Sequence, residues 1–133
     1  MPDSNKKDVV VELDERLLAT PPVALERCNT LVNEMAELSV NAVKQSLTLL
    51  QSYNASLGEE IRKTENKADH YEDLLGTYLV KLSSHQMSDS DSATVSKLLK
   101  AIGDFERISD HSVNILESAE EIYEKELSLS PSG

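Results

Sequence analysis

The chain has no tryptophan, one phenylalanine, one cysteine, four glycines and four prolines among 133 residues. The lone cysteine, Cys28, excludes an internal disulfide and suits a reducing compartment. No histidine lies near it in sequence and its neighbours fit an apolar seam, so it reads as a small buried hydrophobe rather than a nucleophile. The few glycines and prolines lie mostly outside the periodic segments and leave little to interrupt helices. No apolar run approaches the ~20 residues that cross a bilayer, and the N-terminus lacks the apolar stretch of a signal peptide. A soluble, non-secreted, cytoplasmic chain is expected. Basic residues are scarce as well, 13 against 24 acidic, for a net charge of −11. That balance repels phosphate backbones and anionic lipid, which disfavours nucleic acid as a partner and suits cations or a basic protein.

What is present is helical periodicity. Residues 1–20 read as a polar N-terminal linker. Thr20-Pro21-Pro22 reads as a helix start, with Thr20 placed to accept a backbone N–H and Pro21 tolerated in the first turn, where its missing donor has no partner anyway. The first helix runs to about Tyr53 on a seam of Ala24, Cys28, Leu31, Met35, Leu38, Ala42, Gln45 and Leu49, an alternation of four and three. Asn54 opens a turn. A second helix carries Leu57, Ile61, Thr64, Ala68, Tyr71, Leu75, Tyr78 and Leu82, with Leu74 and Leu79 widening the stripe. The stretch from about Ser83 to Ser92 is rich in Ser and Asp and reads as a loop that offers N-caps. The third helix uses Val95, Leu98, Ile102, Phe105, Ser109, Ser112, Leu116, Ala119 and Tyr123. Three long helices on short loops predict an all-α, up-down-up antiparallel three-helix bundle over 21–127, followed by a disordered tail at 128–133.

Two segments carry chemistry. Glu106, Asp110 and Asn114 stand four residues apart in Glu106-Arg107-Ile108-Ser109-Asp110, with Asn114 a turn further on. Glu65 and Asp69 repeat the step in the second helix, followed by Glu72 and Asp73. At this spacing the side chains of each helix share a stripe at the edge of the core. Like charges so placed cost the helix roughly 0.2–0.5 kcal/mol per pair, a sign that a bound cation reverses. Carboxylates and an amide carbonyl are hard donors, suited to magnesium, calcium, manganese or iron, whereas zinc favours more His or Cys. Each of His70 and His111 follows an Asp by one residue, about 100° around the helix, and reads as surface or as a neighbour of the ligands. His85 has no motif around it. Arg107 reads as a surface bridge to Asp104 or Asp110. A ferritin-type di-iron site needs Glu-x-x-His steps, and the chain has none.

These two motifs resemble the PhoU family of helical phosphate-signalling proteins, over about residues 24–126. Glu65 and Asp69 match the family's first carboxylate pair, and Glu106, Asp110 and Asn114 match its E-R-I-x-D-x-x-x-N step. The segment from Leu13 to Glu26 is most similar to the junction that opens the PhoU-like cytoplasmic tail of sodium/phosphate cotransporter family proteins. The resemblance implies a metal site at Glu65, Asp69, Asp73, Glu106, Asp110 and Asn114, taking a divalent or trivalent ion such as iron, zinc, manganese or magnesium. It implies as partner a membrane transporter domain in the same polypeptide, or another phosphate-uptake or signalling protein. Full-length PhoU proteins look like two such units in tandem; a homodimer of this single unit would restore the second set of carboxylates.

Three functional classes follow. The first is a metal-binding regulatory domain attached to phosphate transport, at the cytoplasmic face of a membrane. The second is a structural helical module for oligomerisation without metal. The third, a metal-dependent hydrolase, lacks a nucleophile beside a base and a glycine-rich phosphate loop, so a non-enzyme is expected.

Overall fold

The computed structural model describes residues 13–129. It is an all-α bundle of three helices, α1 Pro21–Gln51, α2 Ala55–Ser83 and α3 Asp89–Leu129, preceded by a 3-10 helix at Glu15–Ala19. The short connections at 52–54 and 84–88 force neighbouring helices to run antiparallel, which gives the expected up-down-up order. Asn54 caps α2 by accepting from the Leu57 N–H at 3.2 Å, and Ser88 caps α3 by accepting from the Asp91 N–H at 3.0 Å. Among the described residues no helix is long and apolar enough to cross a membrane.

The linker expected through residue 20 is structured from Leu13 onward. Leu18 is buried in the core, and the Tyr78 hydroxyl donates to the Asp14 carbonyl at 2.8 Å. Thr20 does not cap α1 as expected. Its Oγ1 turns back to donate to the Leu17 carbonyl at 3.1 Å. Pro21 and Pro22 have no N–H to offer it, and the Val23 N–H is already taken by the Thr20 carbonyl at 3.0 Å. Ser128 and Leu129, expected in the tail, continue α3. The remaining expected tail and residues 1–12 of the linker lie outside the described residues.

The core has two apolar ends and a small-residue middle. One end gathers Leu18, Leu31, Met35, Leu75, Leu79, Leu82, Val95 and Ile102; the other holds Leu49, Ile61, Leu116 and Ala119. Along the helices between them stand Ser39, Ala42 and Ser46 on α1, Ala68 on α2, and Ser109 and Ser112 on α3, all buried. The expected seam members Leu38 and Gln45 are half-buried flanks, and Ser39 and Ser46 occupy the seam instead. Small side chains at these steps let the backbones approach, and α1 and α3 share the most extensive contact of the bundle. Cys28 is fully buried, and burial pushes its thiol up to about 11, which fits an inert packing residue.

At 41 residues against 31 for α1, α3 is longer by ~15 Å at 1.5 Å per residue. Its C-terminal part is held by a stack of Tyr53 and Tyr123 with ring centroids 4.4 Å apart and by an Arg62–Glu120 ion pair at 2.9 Å.

Candidate metal centre

The acidic stripes meet where α2 and α3 run antiparallel. Ala68 and Ser109 are buried between the helices, so residues one step around from them fall at the solvent edge of the same valley. Antiparallel packing brings the descending run of α2, residues 65, 69 and 72, beside the ascending run of α3, residues 106 and 110. One carboxylate oxygen from each of Asp69, Glu72 and Glu106 lies within 4.8 Å of the other two. Glu72 and Glu106 are half-buried and Asp69 is exposed, so the group opens to solvent on one side.

The electrostatics follow from crowding like charges at a partly dry edge. Burial, then the charges of Asp110 and Glu72, push the Glu106 carboxyl up to about 7. The closeness of the Asp110 carboxylate, which favours a proton shared with Glu106, adds to the rise. Glu72 is raised by burial and by the charges of Asp69, Asp110 and Asp73. Glu65 is raised by burial and by Asp69, with Asp110 adding and Arg62 opposing. These six carboxylates therefore form one electrostatic unit. Arg62 pairs with Glu120 at 2.9 Å, and Arg107 takes the expected surface bridge to Asp104 at 3.4 Å.

The donor set fits a hard cation. Two oxygens on opposite sides of a calcium-sized ion stand ~4.8 Å apart and around magnesium ~4.2 Å. The Asp69, Glu72 and Glu106 oxygens, all within 4.8 Å of one another, are close enough to share one such ion. No sulfur or imidazole joins the group, and His70, His85 and His111 are all exposed. His70 shares a shallow hollow with Asn66, Asp69, Glu72 and Asp73.

The six residues read from the sequence take different positions. Asp69 and Glu106 are in the close triad, and Glu65 and Asp110 lie against it through their charges. Asp73 is exposed and lines the valley beyond Glu72; Asn114 is exposed a turn past Asp110. Glu72 stands outside the ligand set expected from the sequence; it follows Asp69 by three residues rather than four, an i, i+3 step that keeps it on the same face.

Comparison with known proteins adds the family. Neither the curated proteins nor the solved structures compared with the chain gave a match. The family model of the PhoU domain matches residues 32–119, which contain both acidic stripes and most of all three helices. With well over half of its length so matched, the chain belongs to the PhoU domain family, whose role is in the regulation of phosphate transport and phosphate signalling.

Proposed function

We propose that this chain is a metal-binding regulatory domain of a phosphate-transport system. Asp69, Glu72 and Glu106 supply the oxygens that hold the ion, and Glu65 and Asp110 complete its surroundings. The observation that carries the reading is the convergence of three carboxylate oxygens from two helices within 4.8 Å. Such a convergence costs stability unless protons or a cation offset the repulsion. Oxygen donors favour magnesium, manganese, iron or calcium over zinc. A bound ion supplies positive charge where α2 and α3 repel one another. Glu72 and Glu106 then draw the two helices together, and the altered valley is the face presented to a membrane transport domain on the cytoplasmic side. The role in this reading is regulatory rather than catalytic, as for the PhoU family.

The test is elemental analysis of the protein purified without chelator, paired with thermal unfolding in EDTA and in manganese, magnesium and iron(II). The wild type should carry or take up metal and unfold at a higher temperature with it, because a ligand that binds only the folded state raises the midpoint. The Glu72→Gln, Glu106→Gln double variant should stay folded and lose that response. A wild type that neither retains metal nor shifts with any of the three ions would leave a helical interaction module without metal.

A further inference from the structure

Glycine is among the least favourable residues inside a helix, so a glycine there calls for a reason. Gly58 has one within the chain: a Cβ at that position would stand 3.1 Å from Leu116 Cδ1 in the core. Gly76 and Gly103 have none. Nothing lies within 4 Å of a Cβ built at Gly76, and only the tip of Arg107, at 3.9 Å, approaches one at Gly103. Both glycines line one groove of about 630 Å3 between α2 and α3. Its apolar walls include Val80, which is 61 % exposed, and Leu99. Glu72 and Asp73 close one end, where the groove runs into the carboxylate cluster. At the other end Lys81, the cation of the lining, is bound to Glu15 at 2.6 Å.

We propose that this groove is the docking site for a basic amphipathic helix of a partner protein. Its apolar face lies over Gly76 and Gly103 against Val80 and Leu99, and a lysine or arginine at one end meets Glu72 and Asp73. The missing side chains let the partner's backbone come closer than any other residue pair at these positions permits. Charge complementarity selects the occupant. The acidic end of the groove continues into Asp69, Glu106 and Asp110, and a second copy of a chain with net charge −11 brings like charge to it. The mode is an apolar helix face in a groove, with the charge setting its direction. The proposal does not need a bound ion, since the apolar half of the groove holds no carboxylate and the acidic end carries its full negative charge when no metal is bound.

The experiment is an NMR titration of the isotope-labelled chain, in EDTA and ~150 mM salt, near physiological ionic strength. The probe is a synthetic amphipathic Leu/Lys helical peptide, and the control has the same pattern with Glu for Lys. The Leu/Lys peptide should shift the amides of Gly76, Thr77, Val80, Leu99 and Gly103, and the Leu/Glu peptide should not. The Gly76→Leu, Gly103→Leu double variant fills the groove and should bind at least tenfold more weakly with its charges unchanged. Val80→Ser, which removes apolar surface at an exposed rim position and leaves the charge unchanged, gives the same reading if the double variant folds poorly. Three outcomes overturn the proposal: shifts spread over the acidic surface, affinity unchanged in both the filled and the rim variants, or a wild-type dimer in sedimentation that Gly76→Leu dissolves. The last would make a second copy the occupant.

Discussion

The hydroxyl of Tyr78, near the end of α2, donates to the backbone carbonyl of Asp14 at 2.8 Å, across 64 residues of chain. Two further contacts hold the same segment. Lys81 pairs with Glu15 at 2.6 Å, and Leu18 is buried beside Tyr78 and Leu82. The Asp14 side chain accepts from the Arg16 N–H at 2.8 Å, and hydrogen bonds from Arg16 hold its carboxyl below the usual range. The approach to α1 is therefore fixed to α2, the helix that carries half of the acidic valley.

Removing the Tyr78 hydroxyl tests that attachment. Tyr78→Phe keeps the buried ring and deletes one hydrogen bond, so it should cost about 0.5–1.5 kcal/mol. Hydrogen exchange should rise first at Leu17, Leu18 and Thr20, whose amides report local opening of the 3-10 turn. A uniform loss of protection throughout α2 and α3, with the turn no faster than the rest, would show that the tie does not act locally.

The helices were legible in the sequence because their apolar alternation is long and few breakers interrupt it. The centre of the core was less so. A strict four-three alternation selects Leu38 and Gln45, but close helix approach selects small residues, and Ser39 and Ser46 are the ones buried. Thr20 failed as a cap because two prolines removed the amides it would have served, a consequence visible in the sequence once the preceding turn is known. The metal candidates were legible as two stripes but not as a cluster. A four-residue rule extends Glu65 and Asp69 to Asp73, whereas the close group uses Glu72, chosen by the antiparallel register of α2 against α3. Register between helices is written in no single stretch of chain.

Ser39 and Ser109 bury hydroxyls that no group among the described residues meets, whereas Ser46 donates to the Val43 carbonyl at 2.7 Å and Ser112 to the Ser109 carbonyl at 2.6 Å. A buried hydroxyl without a partner costs ~1–3 kcal/mol. Ser39→Ala should therefore stabilise the bundle by about 1 kcal/mol in urea unfolding. Ser46→Ala, which also loses a satisfied bond, should gain less. The reverse order would mean that Ser39 is satisfied in solution.

The glycines give a second ordered pair. Gly76→Ala adds a methyl to open space in mid-helix and should stabilise by ~0.5–1 kcal/mol. Gly58→Ala places its methyl 3.1 Å from Leu116 Cδ1, and the repacking this forces should cancel or exceed the helical gain. Denaturation midpoints of the two variants, measured side by side, decide the matter. If both gain equally, the core around Leu116 yields freely.

The carboxylate cluster predicts an unusual pH dependence. Glu106 is raised from 4.5 to about 7 by burial and by Asp110 and Glu72, and Glu65 and Glu72 are raised as well. A folded-state value above the unfolded one means that the folded chain holds a proton that the unfolded chain releases. Stability then falls as pH rises, from about 4.5, where the unfolded carboxylate ionises, to about 7, where the folded one does, and is level beyond. In EDTA and low salt the melting temperature should drop between pH 5 and pH 8. Glu106→Gln, which keeps the shape and removes the charge, should flatten that slope. Because these groups are partly exposed, 1 M salt should shrink the wild-type drop. A divalent ion should restore the pH 8 stability of the wild type but not of the variant. Superimposable wild-type and Glu106→Gln curves would show instead that the slope belongs to the overall negative charge of the chain and not to this cluster.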